Sequence, residues 1–170
     1  MAPLVRRSWC PRGQTPVLYQ RTCSHKKVSV IAALCISPCK KRLNLYFRLH
    51  PDANINALSA KEFLQNLLKQ LRSPVGLVWD NFTAHRAKEV QNFILQNPSL
   101  HVFFFPPYAP ELNPVENVWS YVKMNSMANL PIMDIDSLTS TTRCHVKSIQ
   151  RKQNLLRSFF KNSHLSLRLK

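Results

Sequence analysis

The apolar positions fall into short blocks whose period switches between two and the helical 3.6. Val, Ile and Ala dominate residues 27–36, and Leu43, Leu45, Phe47 and Leu49 alternate with other residues over 42–50. Both blocks predict strands, and the turn-like Ser37-Pro38-Cys39-Lys40-Lys41 between them predicts an antiparallel pair. Phe63, Leu64, Leu67, Leu68 and Leu71 then recur at helical spacing. Ser59 and Glu62 form a capping-box pattern for that helix, Leu58 and Phe63 a hydrophobic staple, and Ser73-Pro74 its stop. Val75 to Trp79 is an apolar run halted by Asp80-Asn81, which reads as a buried strand covered on both faces. Thr83 is placed to cap a second helix with Ala87, Val90, Phe93 and Ile94 inward, ending near Asn97-Pro98. Residues 101–105 predict another strand, entering the proline-rich loop 106–113. Pro114 takes the favoured first position of a helix that carries Val115, Val118, Trp119 and Val122 on one face. A basic helical stretch is expected from about Asp136 to Phe160. Strands alternating with helices in this order give a layered α/β domain with a mixed sheet.

Length and composition agree with one such domain: 170 residues, 45% of them hydrophobic, are enough for a buried core. The longest mostly apolar stretch, Val28 to Ile36, is nine residues and too short to span a bilayer. The first residues carry no apolar signal-peptide core, so a cytoplasmic location is expected, with no membrane partner. Cysteines number five, an odd count, and Cys35 and Cys39 lack a second pair at zinc-like spacing, so free thiols in a reducing compartment are expected. With only two glycines, Gly13 and Gly76, a glycine-rich phosphate loop is excluded.

Charge changes the picture more. The net charge is +16, and its distribution is uneven. Residues 1–51 hold ten Lys or Arg and no acid, and residues 137–170 hold eight and no acid. All eight carboxylates lie in 52–136, against six bases, a net charge of −2 there. Basic flanks around an acid-bearing middle suit a protein that grips a polyanion and sets acids against it.

Two of those acids stand where chemistry can be done. Asp80 ends a buried strand, at the edge where open α/β sheets place ligands, although an Asp there can equally bond its own turn. Glu116 sits on the first turn of a helix behind a rigid loop, although Asn113-Pro114-Val115-Glu116 can equally be a capping box. Carboxylate oxygens are the hard ligands that Mg²⁺ and Mn²⁺ prefer, and a pair of such ions activates phosphodiester cleavage. If the two acids face each other, Asp80→Asn should be neutral or mildly stabilising without metal, because it relieves repulsion. His85, five residues beyond Asp80, is either a neighbour of that site or a solvated residue at the start of a helix.

The blocks Trp79-Asp80-Asn81-Phe82-Thr83-Ala84-His85-Arg86 and 105–123, the latter reading FPPYAPELNPVENVWSYVK, closely resemble the catalytic domain of Tc/mariner-type transposases, in the branch of bacterial insertion sequences. The resemblance extends to Arg6-Arg7-Ser8-Trp9-Cys10-Pro11-Arg12-Gly13, to residues 46–50 and to residues 156–160, and so covers nearly the whole chain. It implies a ribonuclease-H-like mixed sheet flanked by helices. It also implies a DDE triad of acids holding two Mg²⁺ or Mn²⁺ ions, which cuts transposon ends and joins them to target DNA. On it Asp80 is the second acid and Glu116 the third, 35 residues lying between them, with His85 and Asn81 as active-site neighbours. Arg6, Arg7, Arg12 and Lys123 are the expected DNA contacts.

The family's first acid belongs on a core strand upstream of the Arg6-Arg7 segment, and no Asp or Glu precedes Arg6. The expectation is therefore a carboxy-terminal piece of a transposase, from a split gene or a decaying remnant, without its first core strand and its end-recognition module. It divides into a basic irregular arm (1–25), a partial core (26–130) and a basic helical tail of the same domain (131–170). Expected partners are DNA, an upstream-encoded transposase segment and a second copy of the chain, with nucleoid association in a bacterial cell. The alternative is a basic DNA-binding protein or transposition modulator without catalysis.

Overall fold

The structure, a computed structural model, describes residues 6–7, 9–15, 17, 27–129 and 134–165. Of the expected arm, only residues 6–7, 9–15 and 17 are among these; the rest of it lies outside the described residues, as do 130–133 and 166–170.

Two strand pairs form the framework. β1 (Val28–Ile36) and β2 (Leu43–Pro51) run antiparallel, from Val28 opposite Pro51 to Ile36 opposite Leu43. The connecting turn is closed by Lys40 N–H donating to Ser37 O at 2.8 Å and Arg42 N–H donating to Ser37 Oγ at 3.0 Å. β3 (Val75–Trp79) and β4 (Leu100–Phe104) run parallel, from Val75 opposite Leu100 to Trp79 opposite Phe104. Parallel neighbours need a crossover, and α2 (Lys88–Leu95) supplies it. Among the described residues no ladder joins β1 to β3, so the two pairs stand as separate two-stranded sheets, the halves of the mixed sheet expected.

α1 (Ala57–Leu71) begins earlier than its capping-box pattern predicts. Asn56 is the N-cap, its Oδ1 accepting from Ser59 N–H at 2.9 Å and from Ser59 Oγ–H at 2.8 Å. Glu62 does not close a box, because it pairs with Arg48 on β2 at 2.7 Å, and Leu58 is left exposed rather than stapled. Thr83 likewise caps no helix. Residues Thr83–Arg86 form a single 3₁₀ turn and extended Ala87 separates it from α2. α3 (Pro114–Tyr121) starts as predicted, with Asn113 Oδ1 accepting from Val115 N–H at 3.1 Å, and runs into a π turn at Val122–Ser126. α4 (Ile135–Gln150) and α5 (Gln153–Lys161) follow.

Strand alternation splits the core in two. Val28, Val30, Ala32, Leu34 and Ile36 of β1, with Leu43, Leu45, Phe47 and Leu49 of β2, pack against Val118, Val122, Met127, Leu138, Val146, Ile149, Leu156, Phe159 and Phe160. The carboxy-terminal helices are thus half of this first core. Ile31, Ala33 and Cys35 point the other way, to Ala60, Phe63, Leu64 and Leu67 of α1. That second core continues through Trp79, Val90, Phe93 and Leu100 to α2, β3 and β4. β3 is not covered on both faces as its composition predicts: Leu77 and Trp79 turn to the second core, whereas Gly76 and Val78 are exposed, as are His101 and Phe103 beside them. No described element lies over that face, so an apolar run here marks one buried face, not two. Cys35 and Cys39 are free thiols, and burial pushes the Cys35 thiol up to about 11, away from the reactive range.

Candidate active site

Asp80 leaves β3 just as the strand loses its pairing, the last bond being Phe105 N–H to Trp79 O at 2.9 Å. Its two carboxylate oxygens have different surroundings. Oδ1 accepts from Phe82 N–H at 3.2 Å and lies 2.9 Å from His85 Nδ1. Oδ2 has no hydrogen-bond partner among the described residues. The 3₁₀ turn brings His85 back over the strand end, its ring stacked on Trp79 at 4.1 Å and 4° and met edge-on by Phe82 at 5.5 Å. His85 is therefore not a solvated helix-start residue; its side chain is 12% exposed, against 52% for Asp80.

Asn81 ties this turn to the loop that leads to Glu116. Its Nδ2–H donates to Phe105 O at 2.6 Å, and its Oδ1 accepts from Arg86 Nε–H at 3.1 Å. Arg86 in turn lies over the Phe104 ring, 4.7 Å from its centre. Beyond Phe105, the loop makes a 3₁₀ turn at Pro110–Leu112 and delivers Glu116 on the first turn of α3. The capping-box reading of Glu116 fails on one bond. The Asn113 N–H that such a carboxylate would accept donates instead to Pro110 O at 3.0 Å.

Asp80 and Glu116 line one cleft of about 180 Å³, with Asn81, Tyr108, Pro110 and Asn113 on its walls. Their electrostatics differ. The His85 side chain, with help from Phe82 N–H, holds the Asp80 carboxyl below its usual range despite partial burial. Partial burial and then the Asp80 charge push Glu116 up, with Lys123 opposing. The repulsion expected between the acids is present, but Glu116 carries its cost, because His85 compensates Asp80. The mildly stabilising substitution is accordingly Glu116→Gln rather than Asp80→Asn. A raised acid pKa means that the native state holds this proton more tightly than the unfolded chain does. Stability tied to Glu116 therefore grows as pH falls through its raised pKa and is lost above it. At neutral pH without metal, Glu116→Gln should raise the melting temperature by up to about 2 °C. A fall would show that the carboxylate is held by contacts other than these.

Of the expected DNA contacts, Lys123 is near enough to act on Glu116, and Arg7 and Arg12 are exposed. Arg6 is engaged structurally: its guanidinium donates to Met124 O, and its main chain exchanges bonds with the Asn129 side chain at 2.7 and 3.0 Å. Sequence reasoning missed Trp79 as the platform for His85, Arg86 as the brace of Asn81, and Tyr108. That tyrosine is fully exposed at the cleft rim with φ of 58°. Only Trp79 had a signal, since strand alternation sets it opposite Val78 and on the core side.

An acid at the end of a strand and another on the first turn of a helix thus share one cleft of a layered α/β domain. Residues 2–139 match the DDE superfamily endonucleases, and the chain belongs to that family. It is 33% identical over 70 residues to the uncharacterized 39 kDa protein of insertion element IS630 from Shigella sonnei, a match covering 38% of this chain and 20% of that protein. It is 40% identical over 42 residues to protein y4pE/y4sA of Sinorhizobium fredii, covering 25% of this chain and 31% of that one. Among solved structures it is similar to the Mos1 mariner paired-end complex with Mn, with a TM-score of 0.63 at 19% identity over 95% of this chain and 47% of that one. The isolated Mos1 catalytic domain gives 0.54 at 18% identity, over 81% of this chain and 74% of that one. The fold is ribonuclease-H-like, and the chain matches less than half the length of the longer Mos1 chain.

Proposed function

We propose that this chain is the larger part of a transposase catalytic domain that cleaves and rejoins DNA with Mg²⁺ or Mn²⁺. The observation that carries the reading is the convergence of Asp80 and Glu116, from separate elements, on one cleft of a strongly basic chain. The donors suit a divalent cation: both are carboxylates, Oδ2 of Asp80 has no partner among the described residues, and the charge of Asp80 weighs on Glu116. Among the described residues no three His, Cys, Asp or Glu side chains form a ready-made set, so the two acids supply only part of a two-ion site. The Mos1 complexes with Mn and with a transposon end support the same metal and DNA here.

Bound divalent ions would activate the attacking oxygen and stabilise the leaving one. The chain's own residues do the rest. Asp80 and Glu116 hold the cations, His85 and Asn81 fix the turn that carries Asp80, and basic side chains including Arg7, Arg12 and Lys123 grip the phosphate backbone. The unjoined halves of the sheet suit a further strand between β1 and β3, supplied by an upstream-encoded segment and carrying the first acid. A second copy of the chain is the alternative partner for those edges. No helix of the described residues is long and apolar enough to cross a membrane, and association with the nucleoid follows from DNA binding.

The test is nicking of supercoiled DNA with Mn²⁺ by residues 1–170 alone and by the same chain fused to, or mixed with, the upstream segment. The chain alone should be inactive and the completed protein active. Cleavage by the chain alone, lost on Glu116→Ala, would place the first acid within these residues. That no third ligand stands ready among the described residues also favours a second reading, a DNA-binding protein without catalysis. Failure of every completed form to nick would support it.

A further inference from the structure

The two oxygens of Asp80 have unequal surroundings. Both of the carboxylate's contacts, to Phe82 N–H and to His85 Nδ1, are made by Oδ1. His85 is itself held from several sides. Its ring lies flat on Trp79, the Phe82 edge closes over it, its N–H donates to Phe82 O at 2.9 Å, and its carbonyl accepts from Gln91 Nε2–H at 3.3 Å. A ring fixed in this way presents Nδ1 at a set point, and a carboxylate acceptor there requires the proton on Nδ1.

We infer that His85 is a positioning residue: its Nδ1–H pins Oδ1 of Asp80, so that Oδ2 alone is presented to a divalent cation in the cleft. The inference rests on the proposed metal role of Asp80. A carboxylate on a turn otherwise rotates freely, and a cation that binds it must first order it. A donor already bonded to one oxygen removes that cost and fixes single-oxygen ligation. Residues that orient a ligand in this way typically contribute about ten- to a hundredfold in metal affinity. In this arrangement His85 acts through Asp80, its Nδ1 being turned to the carboxylate.

Two substitutions separate the donor from the ring. His85→Asn keeps an N–H near the Nδ1 position and loses the stack on Trp79. His85→Phe keeps a stacking ring and loses the donor. Mn²⁺ titration of the 170-residue chain, followed by the electron-spin-resonance signal of free Mn²⁺, should show about tenfold or weaker binding for His85→Phe. Binding by His85→Asn should stay within about threefold of the unsubstituted chain, despite a lower melting temperature. Equal weakening by both variants would assign the effect to packing and overturn the inference, as would unchanged binding by His85→Phe. Asp80→Asn and Glu116→Gln are the controls. If neither weakens Mn²⁺ binding, the metal reading itself fails. A readout without metal decides the positioning role in that case. The imidazole ¹⁵N spectrum of the neutral side chain should show the proton on Nδ1, and an Nε2–H tautomer would sink the proposal.

Discussion

In the chain joined to its proposed upstream segment, Asp80→Ala and Glu116→Ala should each reduce Mn²⁺-dependent nicking about a thousandfold or more, the rate equivalent of about 4 kcal/mol. Each substitution removes carboxylate oxygens from a cleft where no third His, Cys, Asp or Glu stands ready among the described residues. Neither acid has an understudy. DNA binding at low salt should change by no more than about a factor of two, because the grip is electrostatic and removing an acid, if anything, strengthens it. Plasmid nicking and gel retardation on the same preparations separate the two effects. Retention of a tenth of the nicking rate by either variant would place the chemistry elsewhere.

The second large effect is that of salt. A chain of +16 whose bases flank an acidic middle should bind duplex DNA through phosphate contacts, with little preference for sequence. Six such contacts would cost about a thousandfold in affinity between roughly 50 and 200 mM monovalent salt. Fluorescence anisotropy with several unrelated duplexes across that range measures both properties. A flat salt profile, or strong preference for one duplex, would refute the electrostatic account. Arg6 should matter less than its charge implies, because Met124 O already engages its guanidinium.

Much of the fold is legible because its information is periodic. The Val, Ile and Ala of residues 27–36, alternation in 42–50 and helical spacing in 63–71 and 114–122 place the elements, and β1 and β2 bury alternate residues on two faces. Pattern fails where bonding partners decide. Ser59 and Glu62 mimic a cap, but Asn56 is nearer the turn and Arg48, distant in sequence, takes Glu62. Thr83 mimics a cap too, but the return of His85 onto Trp79 and Asp80 bends the chain into a single 3₁₀ turn first. Val75 to Trp79 reads as doubly covered because composition cannot report whether anything lies over Val78. Both acids stand out in the sequence, Asp80 by its position after an apolar run and Glu116 by its loop. The asymmetry between them could not be read there, since it arises from a ring stack and a hydrogen bond closed across the turn.

Asp80 and Glu116 ride on different cores: β3 belongs to the second, with α1 and α2, whereas α3 belongs to the first, with α4 and α5. Strand β1 contributes to both, yet no backbone ladder ties it to β3 among the described residues. The separation of the two carboxylates therefore depends on how the cores sit against each other as well as on the Asn81–Phe105 bond, and this bears on ion selectivity. Mg²⁺ demands near-ideal octahedral oxygens at about 2.0–2.1 Å, whereas larger ions tolerate looser shells. A chain with unjoined halves should favour Mn²⁺ over Mg²⁺, and closing the gap should narrow that preference. Competition titrations without and with the proposed upstream segment would measure the change, and an equal preference in both states would show that the halves are already locked.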